Sequence, residues 1–115
     1  DMSVVVNMGQ RDFEYEGALL PQYGVLIESP TFVAFCAKKW QGLEYGQPAL
    51  FTIRSLDGAS VQQSRHLRLY HAFGPDMVRV STRRAVERVE GGSVAERTKD
   101  AILLAVREEA EVWLK

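Results

Sequence analysis

Hydrophobic and polar residues alternate with a period of two along most of the first 80 residues, a pattern typical of strands with one buried face. After Pro48, for example, Phe51 and Ile53 share one face, while Thr52 and Arg54 share the other. This alternation predicts six strands: Ser3 to Val6, Gly24 to Glu28, Thr31 to Ala37, Leu50 to Ser55, Leu67 to Phe73 and Met77 to Val80. Within the third, the run from Phe32 to Ala37 is apolar at both phases. We therefore expect that strand to be covered on both sides.

The last 25 residues show a different spacing. Gly91-Gly92 interrupts the preceding pattern, and the sequence from Ser93 to Glu96 matches a helix capping box. The apolar residues that follow lie three or four positions apart, apart from two adjacent pairs: Ile102, Leu103, Val106, Ala110, Trp113 and Leu114. This spacing predicts an amphipathic helix that runs to the C-terminus. A helix of this length needs packing to be stable, so Ile102, Val106 and Trp113 are its predicted interaction surface.

The predicted fold is mainly β: an antiparallel β-sandwich, Ig-like in general form, over residues 1–90, followed by one C-terminal amphipathic α-helix over residues 91–115. The helix would pack on the sandwich or on a partner. The alternative is an α+β fold, in which the same helix packs over one face of a single sheet.

Composition limits the partners that the chain can have. Its 115 residues fit one domain, and 46% hydrophobic with 25% charged residues are ordinary values for a globular protein. A net charge of -1 provides no overall attraction for nucleic acid or an anionic membrane, so neither partner is expected. The single cysteine, Cys36, cannot form an intramolecular disulfide and does not indicate a compartment. The chain begins with Asp1, which is expected of a processed product or a fragment.

No group of residues makes a convincing catalytic or metal site, and no cofactor is expected. Cys36 lies in the most apolar strand, where a thiol acts as a small hydrophobe rather than as a nucleophile paired with His66 or His71. The two histidines are five residues apart on one strand and would face opposite sides of the sheet, so they cannot share a metal. The carboxylates at residues 12, 14 and 16 fit a solvated edge better than an acid and base pair, because nothing nearby encloses them.

Two further groups of side chains could bind a ligand. Trp40 and Tyr45 could form a stacking platform for sugar rings, and they are the predicted carbohydrate-binding residues; the alternative is that both aromatic rings cover the core. A basic group in the stretch from 79 to 88 consists of Arg79, Arg83, Arg84 and Arg88. Without interleaved aromatic residues, it is expected to be a solvated segment or a docking surface for an acidic neighbour.

One segment resembles a known family. Ser55-Leu-Asp-Gly58 is followed by Ser64-Arg65 and a Leu67-Arg-Leu69 strand, with Ser29-Pro30 upstream. Asp57-Gly58 is also a strong turn signal between two β-patterned runs. Over about residues 25–74 this pattern resembles the non-catalytic all-β (β-sandwich) accessory domains of large bacterial glycoside hydrolases. Such domains flank a separate catalytic barrel, so the resemblance places no catalytic residue in this chain.

The resemblance implies a non-catalytic accessory domain of a carbohydrate-active protein, which braces a neighbouring catalytic domain or weakly binds a glycan. An extracellular or periplasmic location would follow from it. The alternative hypothesis is a protein interaction or self-assembly module that uses the C-terminal helix for contact, with a homo-oligomer as one form of it. A small autonomous enzyme is the least favoured class, because no convergent polar set is present.

Overall fold

A computed structural model describes all 115 residues and contains ten β-strands. The strands are β1 (Ser3–Val6), β2 (Phe13–Tyr15), β3 (Ala18–Leu20), β4 (Val25–Ser29), β5 (Phe32–Trp40), β6 (Leu43–Ser55), β7 (His66–Phe73), β8 (Met77–Ser81), β9 (Val86–Arg97) and β10 (Ala101–Leu114). All of their pairings are antiparallel. The six strands predicted from alternation are present, but β6 begins at Leu43, well before the predicted start at Leu50. The structure contains no helix with the length and apolar character needed to cross a membrane.

The strands form one continuous open sheet in the order β1-β4-β5-β6-β7-β10-β8. β9 pairs with the other edge of β10, and the short β2-β3 hairpin joins β5 through Leu19 and Lys39. The predicted two-sheet sandwich with a C-terminal helix is therefore wrong, and so is the α+β alternative, because both require that helix. The boundary predicted after residue 90 falls inside β9, which belongs to the same sheet as β1 to β8.

The C-terminal segment is a strand because its apolar residues also fit a period of two. Ile102, Leu104 and Val106 are buried, and after an irregular stretch Ala110, Val112 and Leu114 continue the same alternation. Pairing decides between the two patterns: β10 bonds to β7 and β8 along one edge and to β9 along the other. Backbone pairing on both edges and the burial of one face outweigh local helix signals. The predicted capping box lies inside β9, where Ser93 pairs with Ala105.

A line of irregularities bends the sheet. Register is lost on β5 between Ala37 and Lys39, and on β10 between Val106 and Glu111. Gly74, between β7 and β8, and Gly91, in β9, lie near this line with φ of +86° and +80°. A side chain at either glycine would collide with a backbone carbonyl of the adjacent strand. The bend gives the sheet an inner face, which holds the core, and an outer face.

His71 holds this bend together from the inner side. Its Nδ1 lies 2.9 Å from the carbonyl oxygen of Arg107, and its Nε2 lies 2.9 Å from that of Gly74. The imidazole also lies 4.8 Å from the ring of Phe51, which belongs to the core. His71 thereby joins the irregular stretch of β10 to the turn between β7 and β8.

The inner face carries one core of 22 buried residues. Its centre is a group of fully buried side chains from neighbouring strands, namely Leu26, Phe35, Phe51, Ile53, Leu67 and Leu69. The bulge on β5 changes the phase of the alternation, so Trp40 faces inward although Lys39 occupies the expected position.

Candidate interaction surface

The predicted sugar-stacking residues both lie in the core. Trp40 is 5% exposed and Tyr45 is 9% exposed. The indole of Trp40 stacks on Phe35 at 4.6 Å, and the phenol ring of Tyr45 lies 6.2 Å from the same ring. Neither aromatic residue presents a face to solvent on which a pyranose ring could stack.

The Tyr45 hydroxyl is buried without a hydrogen-bond partner. Burial raises the pKa of this hydroxyl, with a small opposing effect from Arg79. The group is thus an unpaired donor inside an otherwise apolar aromatic cluster.

The residues predicted as the contact stripe of a helix do not share a surface. Ile102 and Val106 are fully buried in the core, whereas Trp113 lies on the outer face. Its indole stacks against His66 at 4.8 Å, and the guanidinium of Arg88 lies 3.9 Å from the indole centroid. Within this protein Trp113 therefore contacts a side chain from each neighbouring strand.

Charged residues surround this indole. Glu111 lies 2.7 Å from His66 Nε2 and 3.4 Å from Arg68 Nη2. The hydrogen bond from His66 holds the pKa of the Glu111 carboxyl below its ordinary value, and Arg68 adds to the effect. Because all three side chains are 30% to 46% exposed, this cluster has no enclosed pocket in which to run acid and base chemistry.

The other candidate chemical groups are separated or paired. Cys36 lies on the outer face opposite Leu50, while His71 lies on the inner face; burial raises the pKa of the thiol. Asp12 and Glu14 form exposed ion pairs with Lys38 and Lys39 respectively, across strand edges. No group of three or more histidine, cysteine or carboxylate side chains is placed to hold a metal ion.

The four arginines of the predicted basic group have separate partners. Arg79 donates to the carbonyl of Gln41, Arg83 pairs with Asp100, Arg84 donates to the carbonyl of Gln63, and Arg88 lies over Trp113. They do not form a single basic surface for a polyanion.

The segment that carries the family resemblance is a hydrogen-bonded loop. The Asp57 carboxylate accepts hydrogen bonds from the hydroxyls of Ser55 and Ser64 and from the backbone amides of Ala59 and Arg65. The Arg65 amide is the largest influence that holds the pKa of Asp57 well below its ordinary value. The motif residues thus have a local structural role, which is to fix the connection between β6 and β7.

A cleft of about 270 Å³ lies between this loop and β8. Apolar side chains form part of its wall, namely Pro30, Val33, Trp40, Val61 and Val80. Its only ionisable lining residue is Glu28, so no second group is present to complete an acid and base pair. An adjoining depression of about 370 Å³, which shares Gln62 and Ser81 with the cleft, is lined only by polar residues.

The largest unexplained feature is the outer face of β1 and β4 to β7. One cross-strand row on this face consists of Val4, Ile27, Ala34, Thr52 and Tyr70. The next row consists of Val6, Val25, Cys36, Leu50 and Phe73. Residues directly opposite each other share a face, so these ten side chains form a continuous surface, here called the apolar outer face. At the two ends of the rows, Val4, Val6, Tyr70 and Phe73 are 45% to 57% exposed.

The sequence analysis found the apolar residues of β5 that belong to this surface but did not predict that they are only partly buried. The run from Phe32 to Ala37 predicts a strand covered on both sides, but the structure covers only the inner one. The sequence does contain a signal for this surface, because apolar residues occupy both alternating positions of several strands. A sheet with only one buried face does not require apolar residues at both.

Comparison with known proteins provides no further assignment. No protein-family model, no curated protein and no solved structure matches this chain.

Proposed function

We propose that this chain is a protein interaction domain that docks through its apolar outer face. The observation that carries the proposal is the pair of five-residue rows, apolar except for Thr52, on a sheet face where none of the ten side chains is buried. Antiparallel sheets with one solvated face usually place polar residues there. A contiguous apolar surface of this kind is typical of a protein contact.

The border of the face indicates the chemistry of the partner. Arg54 lies beside the first row with its guanidinium 4.7 Å from the ring centroid of Phe32, and it forms no ion pair within the chain. Arg68, its cross-strand neighbour, makes only a 3.4 Å contact to Glu111. The expected partner therefore presents an apolar polypeptide surface with a carboxylate at its border, opposite Arg54.

This proposal retains the interaction alternative but moves the contact from a helix to a sheet. A carbohydrate-binding role through Trp40 and Tyr45 has no support from the geometry, since both rings are buried. A structural role beside a neighbouring domain is compatible with the same apolar face, and such a domain would be the partner.

Position-specific photo-crosslinking in the source cells tests the proposal. A benzophenone side chain is introduced at Tyr70, on the apolar outer face, and at Glu96, an exposed control position on β9. We expect one discrete adduct from position 70 and none of the same mass from position 96. The adduct should be lost when Phe73→Lys or Arg54→Glu is added, because each removes one component of the recognition. Equal adducts from both positions, or an adduct that survives both substitutions, would overturn the proposal.

A further inference from the structure

The β1 strand leaves one backbone edge unpaired. β1 bonds only to β4, and its register places Val5 opposite Leu26. The amide of Asn7 donates to the carbonyl of Gly24 at 3.0 Å, which continues this ladder. Hydrogen-bonded pairs alternate along an antiparallel ladder, so residues 3, 5 and 7 bond to β4. The N–H and C=O groups of Val4 and Val6 consequently point away from the protein.

On its outer face this edge strand carries apolar side chains that are symmetric in sequence about Val5. Met2, Val4, Val6 and Met8 occupy alternate positions and are 65%, 57%, 46% and 71% exposed. Positions 2 and 8, and positions 4 and 6, are equally distant from Val5. An antiparallel copy of the same segment would therefore place methionine against methionine and valine against valine.

The edges of β8 and β9 carry charged side chains, whereas that of β1 does not. β9 carries five charged side chains along its length, namely Glu87, Arg88, Glu90, Glu96 and Arg97. At the edge of β8, Arg79 and Ser81 contact Gln41. No charged residue or proline occurs from Met2 to Met8, and the register of β1 over Ser3 to Val6 is uninterrupted. Natural sheets commonly use such features to prevent strand addition.

We propose that β1 pairs with β1 of a second copy, antiparallel, about a two-fold axis through Val5. In this register Val4 of each copy forms a hydrogen-bonded pair with Val6 of the other, and the two Val5 residues face each other as a non-bonded pair. Such an interface is isologous, because the same residues contribute from both copies. The two apolar outer faces become one continuous face of twice the width. This inference does not depend on the docking function proposed above.

The contact area is short, so association should be weak. Two hydrogen-bonded pairs and the flanking methionines fall below the size of a standard stable interface. We expect a dissociation constant on the order of micromolar or weaker. The wild-type mass should rise from the chain mass of 12.9 kDa toward twice that value as concentration increases.

The first test measures mass by sedimentation equilibrium over about 1 µM to about 1 mM, for wild type and Val4→Pro. Proline removes the outward N–H at an edge position but none of the bonds to β4. We expect at least a tenfold weaker association for Val4→Pro, and less than a threefold change for Val4→Ile, which keeps the N–H and the apolar side chain. If Val4→Pro unfolds, Val6→Pro is the deciding variant, since it removes the other outward N–H and keeps the outer face apolar.

The second test fixes the register with cysteine substitutions in a Cys36→Ala background. Val5→Cys should form a disulfide-linked dimer under mild oxidation, because two-fold pairing brings identical positions to the separation that a disulfide needs. Ser3→Cys is the matched control, since position 3 faces position 7 of the other copy in this register.

Three results would overturn the inference: a monomer at every concentration, equal crosslinking by the two cysteine variants, or wild-type association in both Val4→Pro and Val6→Pro. Association that is lost in Phe73→Lys but retained in both edge variants would instead assign self-association to the apolar outer face. The β1 inference and the docking proposal can therefore fail separately.

Discussion

The two faces of β4 to β7 have similar apolar content but different surroundings. On the inner face, Phe35 and Phe51 are fully buried and pack against neighbouring aromatic rings. On the outer face, Tyr70 and Phe73 remain nearly half exposed. Both faces come from the same strands and the same alternation. The difference shows that alternation assigns residues to faces, whereas the bend in the sheet decides which face becomes the core.

The largest expected difference between the two faces is in the stability lost when a large side chain is removed from each. Phe51→Ala leaves a cavity among residues that cannot collapse freely, and should lower the free energy of unfolding by about 3–5 kcal/mol. The control is Phe73→Ala on the outer face, expected to change it by about 0.5 kcal/mol or less. Urea unfolding followed by circular dichroism measures both. Similar losses for the two variants would mean that the outer face is covered within the single chain.

The next largest effect concerns the bend that creates the inner face. Gly74→Ala combines a positive φ with a collision against the backbone at Pro48 and Ala49, and should cost more than about 3 kcal/mol. Gly46→Ala is the matched control: its φ is +75°, but its added Cβ would meet nothing within 4 Å. It should cost about 1 kcal/mol. Thermal unfolding of the two variants distinguishes the strain of a positive φ from the collision with the neighbouring backbone. Equal losses of stability in the two variants would contradict the proposed role of Gly74.

A smaller effect is expected at the loop that closes one end of the inner face. The folded state holds the pKa of Asp57 below its ordinary value, so this stabilisation is complete above about pH 4 and is lost as the pH falls further. Asp57→Asn should unfold at lower urea concentration than wild type at pH 7, and the difference should shrink below about pH 4. Asp12→Asn, which removes one exposed ion pair, is the control and should show little difference at either pH. A constant difference for Asp57→Asn from pH 7 to pH 2 would contradict this account.

The smallest of these effects should be a gain in stability. Tyr45→Phe removes a buried hydroxyl that has no partner, and should raise the free energy of unfolding by about 1 kcal/mol. Tyr70→Phe, at an exposed site, should leave it unchanged. Denaturant midpoints compare the two variants, and a loss in Tyr45→Phe would show that the hydroxyl does have a partner in solution.

Local signals were sufficient for much of the chain. The alternation around Phe51 and Ile53 and around Leu67 and Leu69 predicted two strands that do pair, because this signal depends on neighbours in sequence. Their connection is a loop over residues 56–65 rather than the predicted turn at Asp57-Gly58. Trp40 could not be placed in this way, because a bulge on β5 changes its face. The sugar-stacking site predicted at Trp40 was wrong for the same reason, since the bulge places the indole in the core.

The β-rich class and the approximate positions of six of the ten strands follow from the amino-acid sequence alone, because they depend on spacing and backbone preference. Only the tertiary structure decided that residues 101–114 form a strand, because pairing with β7, β8 and β9 satisfies their backbone groups and buries Ile102, Leu104 and Val106. It alone also decided which apolar face remains open, because that depends on where five strands bend together. A pattern of period two contains no information about that bend.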